Sequence, residues 1–101
     1  MNTLEMFSLE GKLAIVTGGY GLYGKNISLA LCEAGATVII ASRNSDKCIQ
    51  FAEKLCSKGF RAEGMQLDLG RESSIISFVE SVVAKYQNVD ILVNNSVLRT
   101  K

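Results

Sequence analysis

The period of apolar and polar positions changes repeatedly along this chain. A short apolar run, Leu13 to Val16, within a predicted strand over residues 12–17, stops at glycines spaced three apart, Gly18, Gly21 and Gly24. A helical pattern starting near Leu22 or Tyr23 follows, with Ile27, Ala30, Leu31 and Ala34 at i, i+3, i+4 and i+7 as its apolar face. Gly35 stands where helices commonly end in a left-handed residue. Residues 37–41 carry a β-branched run, Val38-Ile39-Ile40, as in strands buried on both faces. Asn44 or Ser45 is suited to cap a second helix whose inward stripe is Cys48, Ala52, Leu55 and Cys56, ending at Gly59. Residues 62–67 predict a third strand anchored by Met65 and Leu67 and interrupted by Gly64. Ile75, Phe78, Val79, Val82, Val83 and Tyr86 predict a third helix that starts near Ser73 and Ser74. Residues 89–93 predict a fourth strand.

Four strands thus alternate with three helices, at a repeat long enough for a helical crossover between parallel neighbours, and such crossovers are right-handed. The expected class is α/β: a Rossmann-type parallel sheet, β-α-β-α-β-α-β, most simply ordered 3-2-1-4, one half of a doubly wound fold. Residues 1–101 make a single domain. In that order the fourth strand is an apolar edge, which natural sheets avoid. The expectation is therefore the front piece of a longer fold whose C-terminal half is absent.

Composition narrows the partners. Lys and Arg number 11 against 10 Asp and Glu, for a net charge of +1, so no basic field for nucleic acid exists. No apolar run approaches the ~20 residues of a membrane span. Residues 1–12 carry Glu5 and Glu10 and are not read as a signal peptide. Cys32, Cys48 and Cys56, odd in number and without metal-ligand spacing, read as free thiols in a reducing, cytoplasmic setting. The absence of His removes imidazole metal sites and His-activated nucleophiles.

Candidate chemistry gathers at the carboxyl ends of the predicted strands, where open α/β sheets take ligands. The strand–glycine–helix order after Val16 points backbone N–H groups and a helix dipole at a pyrophosphate. Strand two ends in Ser42-Arg43, where an NAD site has a carboxylate for the ribose 2′-OH. A guanidinium there suits a 2′-phosphate through its planar fork; the alternative is a solvated Arg. Asp68-Leu69 sets an acceptor where an adenine amino group can donate, or Asp68 caps the turn into Gly70 and Arg71. Asn94-Asn95 can bridge strands, meet a ribose, or form a plain turn.

Taken in order, Leu9-Glu10-Gly11-Lys12, Thr17-Gly18 with the glycine loop, Gly35-Ala36, Asp68-Leu69 and Asp90-Ile91-Leu92-Val93-Asn94-Asn95 resemble the N-terminal half of a short-chain dehydrogenase/reductase, over nearly the whole chain. The resemblance implies that Gly18, Tyr20, Gly21 and Leu22 line the pyrophosphate, and that Ser42 and Arg43 meet the 2′-phosphate. It implies likewise that Asp68 and Leu69 meet the adenine and Asn95 the adenosine-side ribose. Arg43 without an acid at Ser42 resembles the NADP(H)-preferring members, with NAD(H) a weaker alternative. A small-molecule substrate and a homo-oligomer are implied too, with no nucleic acid and no membrane.

Two features depart from that pattern. Leu22 stands at the usual middle glycine of the loop, and Gly21 instead gives the Gly-x-x-Gly-x-x-Gly spacing of the extended, nucleotide-sugar branch. A side chain at Leu22 is expected to restrict positive φ. Ser96-Val97 replaces the Ala-Gly expected after the Asn pair. The family moves a proton with a Tyr and a Lys four residues later. Tyr20, Tyr23 and Tyr86 are instead followed at that spacing by Gly24, Ile27 and Asp90. No catalytic residue is assigned, and the 101 residues alone are expected to be inactive. The leading reading is the cofactor-binding part of an NADP(H)-dependent oxidoreductase interconverting an alcohol and a carbonyl. The alternatives are a non-catalytic dinucleotide-binding or interaction fragment, and an extended-branch nucleotide-sugar enzyme.

Overall fold

The computed structural model describes residues 8–18 and 20–95. The lead-in before Ser8, Gly19 and the Ser96-Val97 departure lie outside the described residues. Seven elements alternate: β1 (Leu13–Thr17), α1 (Leu22–Glu33), β2 (Thr37–Ser42), α2 (Ser45–Ser57), β3 (Arg61–Gln66), α3 (Glu72–Lys85) and β4 (Ile91–Asn94). The strands form one parallel sheet in the order β3-β2-β1-β4, as expected.

The strands read as continuous apolar runs because successive side chains serve opposite faces of a sheet covered on both sides. Ala14, Val16, Val38 and Ile40 point to one face and pack with Cys32, Ala36, Cys48, Ala52 and Leu55 from α1, α2 and the turn between α1 and β2. Leu13, Ile15, Ile39 and Ala41 point to the other and pack with Leu67, Phe78 and Val82. Register places Ile15 between Ile39 and Leu92. The β1–β2 pair is therefore the buried centre from which both halves of the core are built.

Three helix faces differ from the expectation. In α1 the buried residues are Gly24, Ser28 and Cys32, while Ile27 and Leu31 are half-buried and Ala30 is exposed. The helix approaches the sheet over its small side chains, and the larger apolar ones flank the contact. In α2, Cys48, Ala52 and Leu55 are buried, but Cys56 is exposed, its thiol donating to the Ala62 carbonyl at 3.3 Å. In α3 only Phe78 and Val82 are buried; Val79 and Val83 are exposed, the latter at 62%. Alone on its face of the sheet, α3 meets strands along one line and has no helix beside it among the described residues.

Strand bounds shift slightly. β2 runs on through Ser42, β3 ends at Gln66 with Leu67 buried just beyond it, and β4 starts at Ile91, leaving Val89 exposed. Among the described residues β4 pairs only with β1, and Leu92 is 67% exposed, the apolar edge expected of it. Gly64 does not weaken β3 but admits α2: a Cβ there would lie 2.5 Å from the Cys48 carbonyl carbon and the Ile49 nitrogen. Asn44 is the cap of α2, its Oδ1 accepting from Lys47 N–H at 3.1 Å.

Candidate functional site

All four strands end at one edge of the sheet, and the residues singled out in the sequence lie there. Gly18 leaves β1 with φ +68°, its N–H donating to the Ala41 carbonyl at 2.7 Å. Gly21 N–H then bonds the Gly18 carbonyl at 3.2 Å, which turns the chain into α1. Gly21 is the N-cap of α1, without a side-chain cap bond, and the first turn carries no acidic residue. The orphan N–H groups and the positive dipole end are thus uncompensated by side chains, the condition for binding an anion.

Leu22 is the first residue of α1, and no described non-glycine residue has positive φ. The restriction expected from its side chain therefore does not arise: Gly18 takes the left-handed conformation. Leu22 is 76% exposed, whereas Tyr20 is half-buried against the core beneath α1 and α2.

The corner after β2 is held from several sides. Ser42 Oγ accepts from Asn44 N–H at 3.1 Å and lies 3.3 Å from the Asn44 carbonyl and 3.0 Å from Cys48 Sγ. Leu67 N–H donates to the Ser42 carbonyl at 2.7 Å, and Gln66 Nε2 donates to the Arg43 carbonyl at 3.3 Å. The Arg43 backbone is fixed while its exposed guanidinium makes no ion pair among the described residues. Neither Cys48 nor Gln66 was singled out for this site, since both contacts form only when α2 and β3 close on the end of β2.

After β3, Asp68 Oδ1 accepts from Gly70 N–H at 2.9 Å, so this oxygen serves the turn, and Asp68 N–H donates to Ser74 Oγ at 2.9 Å. Leu69 is exposed beside it. A cleft of about 400 Å³ runs from here between β3 and α3, lined by Gln66, Asp68, Arg71, Ser74 and Phe78 among others.

After β4 the Asn pair bridges strands. Thr17 Oγ1 donates to Asn94 Oδ1 at 2.9 Å, Asn95 N–H donates to Thr17, and Asn95 Nδ2 donates to the Gly18 carbonyl at 3.4 Å. Asn95 thus ties the end of β4 to the start of the glycine loop. The opposite end is tied too: Asp90 Oδ2 accepts from Leu13 N–H at 2.8 Å, a role not read from its place in the sequence motif.

A polar cluster away from this edge centres on Glu63. Burial alone would raise the Glu63 pKa, but hydrogen bonds from Lys85 at 2.8 Å and Tyr86 at 2.7 Å outweigh it and lower it. Burial and the Glu63 bond raise the Tyr86 pKa. Tyr86 follows α3 and bonds mid-strand on β3, away from the carboxyl ends. Among the described residues no cluster of His, Cys, Asp or Glu is placed to hold a metal ion, and no helix is long and apolar enough to cross a membrane.

A family model described as short chain dehydrogenase matches residues 12–101. The chain is 40% identical over 98 residues to a 2-dehydro-3-deoxy-D-gluconate 5-dehydrogenase of Pseudoalteromonas atlantica, a match covering 92% of the chain and 37% of that relative. Among solved structures, a Pseudomonas aeruginosa RhlG/NADP active-site complex superposes with TM-score 0.85 at 34% identity, covering 97% of this chain and 38% of that one. A gluconate 5-dehydrogenase from Burkholderia cenocepacia in complex with NADP and tartrate superposes with TM-score 0.88 at 29% identity, covering 98% of this chain and 39% of that one. The chain therefore spans well under half the length of the proteins it matches.

Proposed function

The chain belongs to the short-chain dehydrogenase family, and on that footing we propose that it is the cofactor-binding part of an NADP(H)-dependent oxidoreductase interconverting an alcohol and a carbonyl. The reading rests chiefly on the corner after β2, where Ser42 and the exposed guanidinium of Arg43 stand, without an ion pair among the described residues, and no carboxylate occupies the strand end. A 2′-phosphate supplies the oxygens that such a fork pairs with, whereas a bare ribose hydroxyl leaves it unmatched. Two similar structures, RhlG and the gluconate 5-dehydrogenase, were solved with NADP, which supports the same choice.

The rest of the edge fits a dinucleotide. The uncapped start of α1 with Gly18, Tyr20, Gly21 and Leu22 receives the pyrophosphate, Asp68 and Leu69 the adenine, and Asn95 the ribose on the adenosine side. A bound nicotinamide cofactor would give the hydride to the carbonyl or take it from the alcohol. This chain's own residues bind and orient it, and the proton-transfer groups are not assigned to residues 1–101. The substrate is a small molecule, the assembly a homo-oligomer and the setting the cytoplasm, in keeping with three unpaired cysteines.

Calorimetric titration of NADPH and NADH against the intact protein carrying this sequence tests the reading. NADPH is expected to bind about tenfold to a hundredfold tighter, the worth of a charge-assisted hydrogen bond, and Arg43→Asp to erase or invert the preference. Equal wild-type affinities would overturn the assignment.

A further inference from the structure

Cys48 is fully buried in the first turns of α2, yet its sulfur lies 3.0 Å from the Ser42 hydroxyl at the ligand edge. It comes this close because Gly64 lets the backbone of α2 lie directly on β3. Resting on the NADP(H) reading above, we propose that Cys48 is a positioning residue for cofactor choice: its thiol makes Ser42 an outward hydrogen-bond donor to the 2′-phosphate.

A serine hydroxyl has one proton and two acceptor positions. Asn44 N–H fills one of those positions at 3.1 Å. Among the described residues, the hydroxyl proton has only the Asn44 carbonyl at 3.3 Å and the Cys48 sulfur, a weak acceptor, to go to. A phosphate is a stronger acceptor than either and draws the proton outward. The thiol then donates S–H into the second acceptor position, and hydrogen bonds in such a chain strengthen one another. Burial raises the pKa of this thiol, so the proton it must donate is present at neutral pH. Both acceptor positions are then occupied from within, and Ser42 can offer the ligand only a donor. That suits a phosphate, which at its ionised oxygens only accepts.

The test compares NADPH and NADH dissociation constants, by calorimetry on the intact protein, for wild type, Cys48→Val, Cys48→Ser, Ser42→Ala and the Cys48→Val/Ser42→Ala pair. Cys48→Val removes the donor and leaves an apolar side chain in its place. It is expected to weaken NADPH about fivefold, the worth of one neutral hydrogen bond, and to leave NADH unchanged. Cys48→Ser, which retains a donor, is expected to restore most of the loss, and Cys48→Val to add nothing once Ser42 is Ala. Equal losses for both cofactors, or an unchanged ratio, would overturn the role of Cys48. Cys48→Ala takes the place of Cys48→Val if valine prevents folding. Arg43→Ser separates the two levels. If it leaves the cofactor ratio unchanged, the 2′-phosphate reading itself falls. If it collapses the ratio while Cys48→Val does not, only the role of Cys48 falls.

Discussion

Gly64 of β3 lies against the backbone of Cys48 in α2, so closely that a Cβ would stand 2.6 Å from the Cys48 carbonyl oxygen as well. The obstruction is backbone, which cannot turn aside as a flexible side chain does. Gly64→Ala must push α2 off the sheet or bend β3, and overpacking of this kind typically costs ~1–3 kcal/mol. For a domain of this size each kcal/mol lowers Tm by roughly 4–8 °C. Thermal unfolding of the variant checks it; an unchanged Tm would mean that α2 does not sit on Gly64.

The glycines of the loop are expected to respond unequally. Gly18 holds φ +68°, whereas Gly21 has φ −73° and an added Cβ would meet, among the described residues, only the Gly18 carbonyl at 3.6 Å. Gly18→Val combines backbone strain of ~1–3 kcal/mol with a side chain at the start of the phosphate loop. It is expected to abolish dinucleotide binding while leaving helical content largely intact. Gly21→Ala is expected to fold like wild type, and Leu22→Gly to cost no more than ~1 kcal/mol of helix stability. Circular dichroism and cofactor fluorescence on the same samples separate folding from binding.

Ser28 presents the opposite case, a group the fold gains by losing. Its Oγ is fully buried and has no hydrogen-bond partner among the described residues. An unsatisfied buried hydroxyl costs roughly 1–3 kcal/mol, and Ala is also the better helix former. Ser28→Ala is expected to raise the urea midpoint at unchanged m-value, a gain of about 1 kcal/mol. A lowered midpoint would reveal a partner for this hydroxyl.

The Glu63 cluster gives stability a pH dependence with a definite sign. The folded-state pKa of Glu63 is lowered, so its contribution is present above the ordinary carboxylate range and is lost as pH falls through the depressed value. The Lys85 and Tyr86 pKa values are raised, so their contributions hold below their ordinary values and fade as pH rises through the raised ones. Glu63→Gln is expected to flatten part of the acid limb of the stability profile and to leave the neutral plateau little changed, since half-exposed ion pairs are weak. Urea melts between pH 3 and pH 7 read this directly.

Most of the sheet was legible because burial on both faces leaves its mark in unbroken runs such as Val38-Ile39-Ile40, and because glycines and caps punctuate the helices. The inward face of α1 was not. Gly24, Ser28 and Cys32 are small rather than strongly apolar, so an apolar-period reading favoured Ile27 and Ala30, and only the close approach of helix to strand reveals why small residues face in. In the same way Gly64 looked like a weakness of β3 until α2 was in place. At the site, the residue types at the strand ends were legible one by one. The Cys48 and Gln66 contacts beneath them were not, since they join positions distant from the glycine loop through the closing of the sheet corner.

Asn95 makes the glycine loop depend on chain far downstream of it. β1 lies inside the sheet, yet its Leu13 amide and the Gly18 carbonyl that opens the loop are completed by Asp90 and Asn95, both 77 residues further on. Contacts so far apart in sequence close late, because the intervening chain must first be ordered. A partly folded or still-growing chain can therefore hold α1, β2 and α2 together and still lack a finished glycine loop. Completion of the glycine loop then depends on the docking of β4 beside β1.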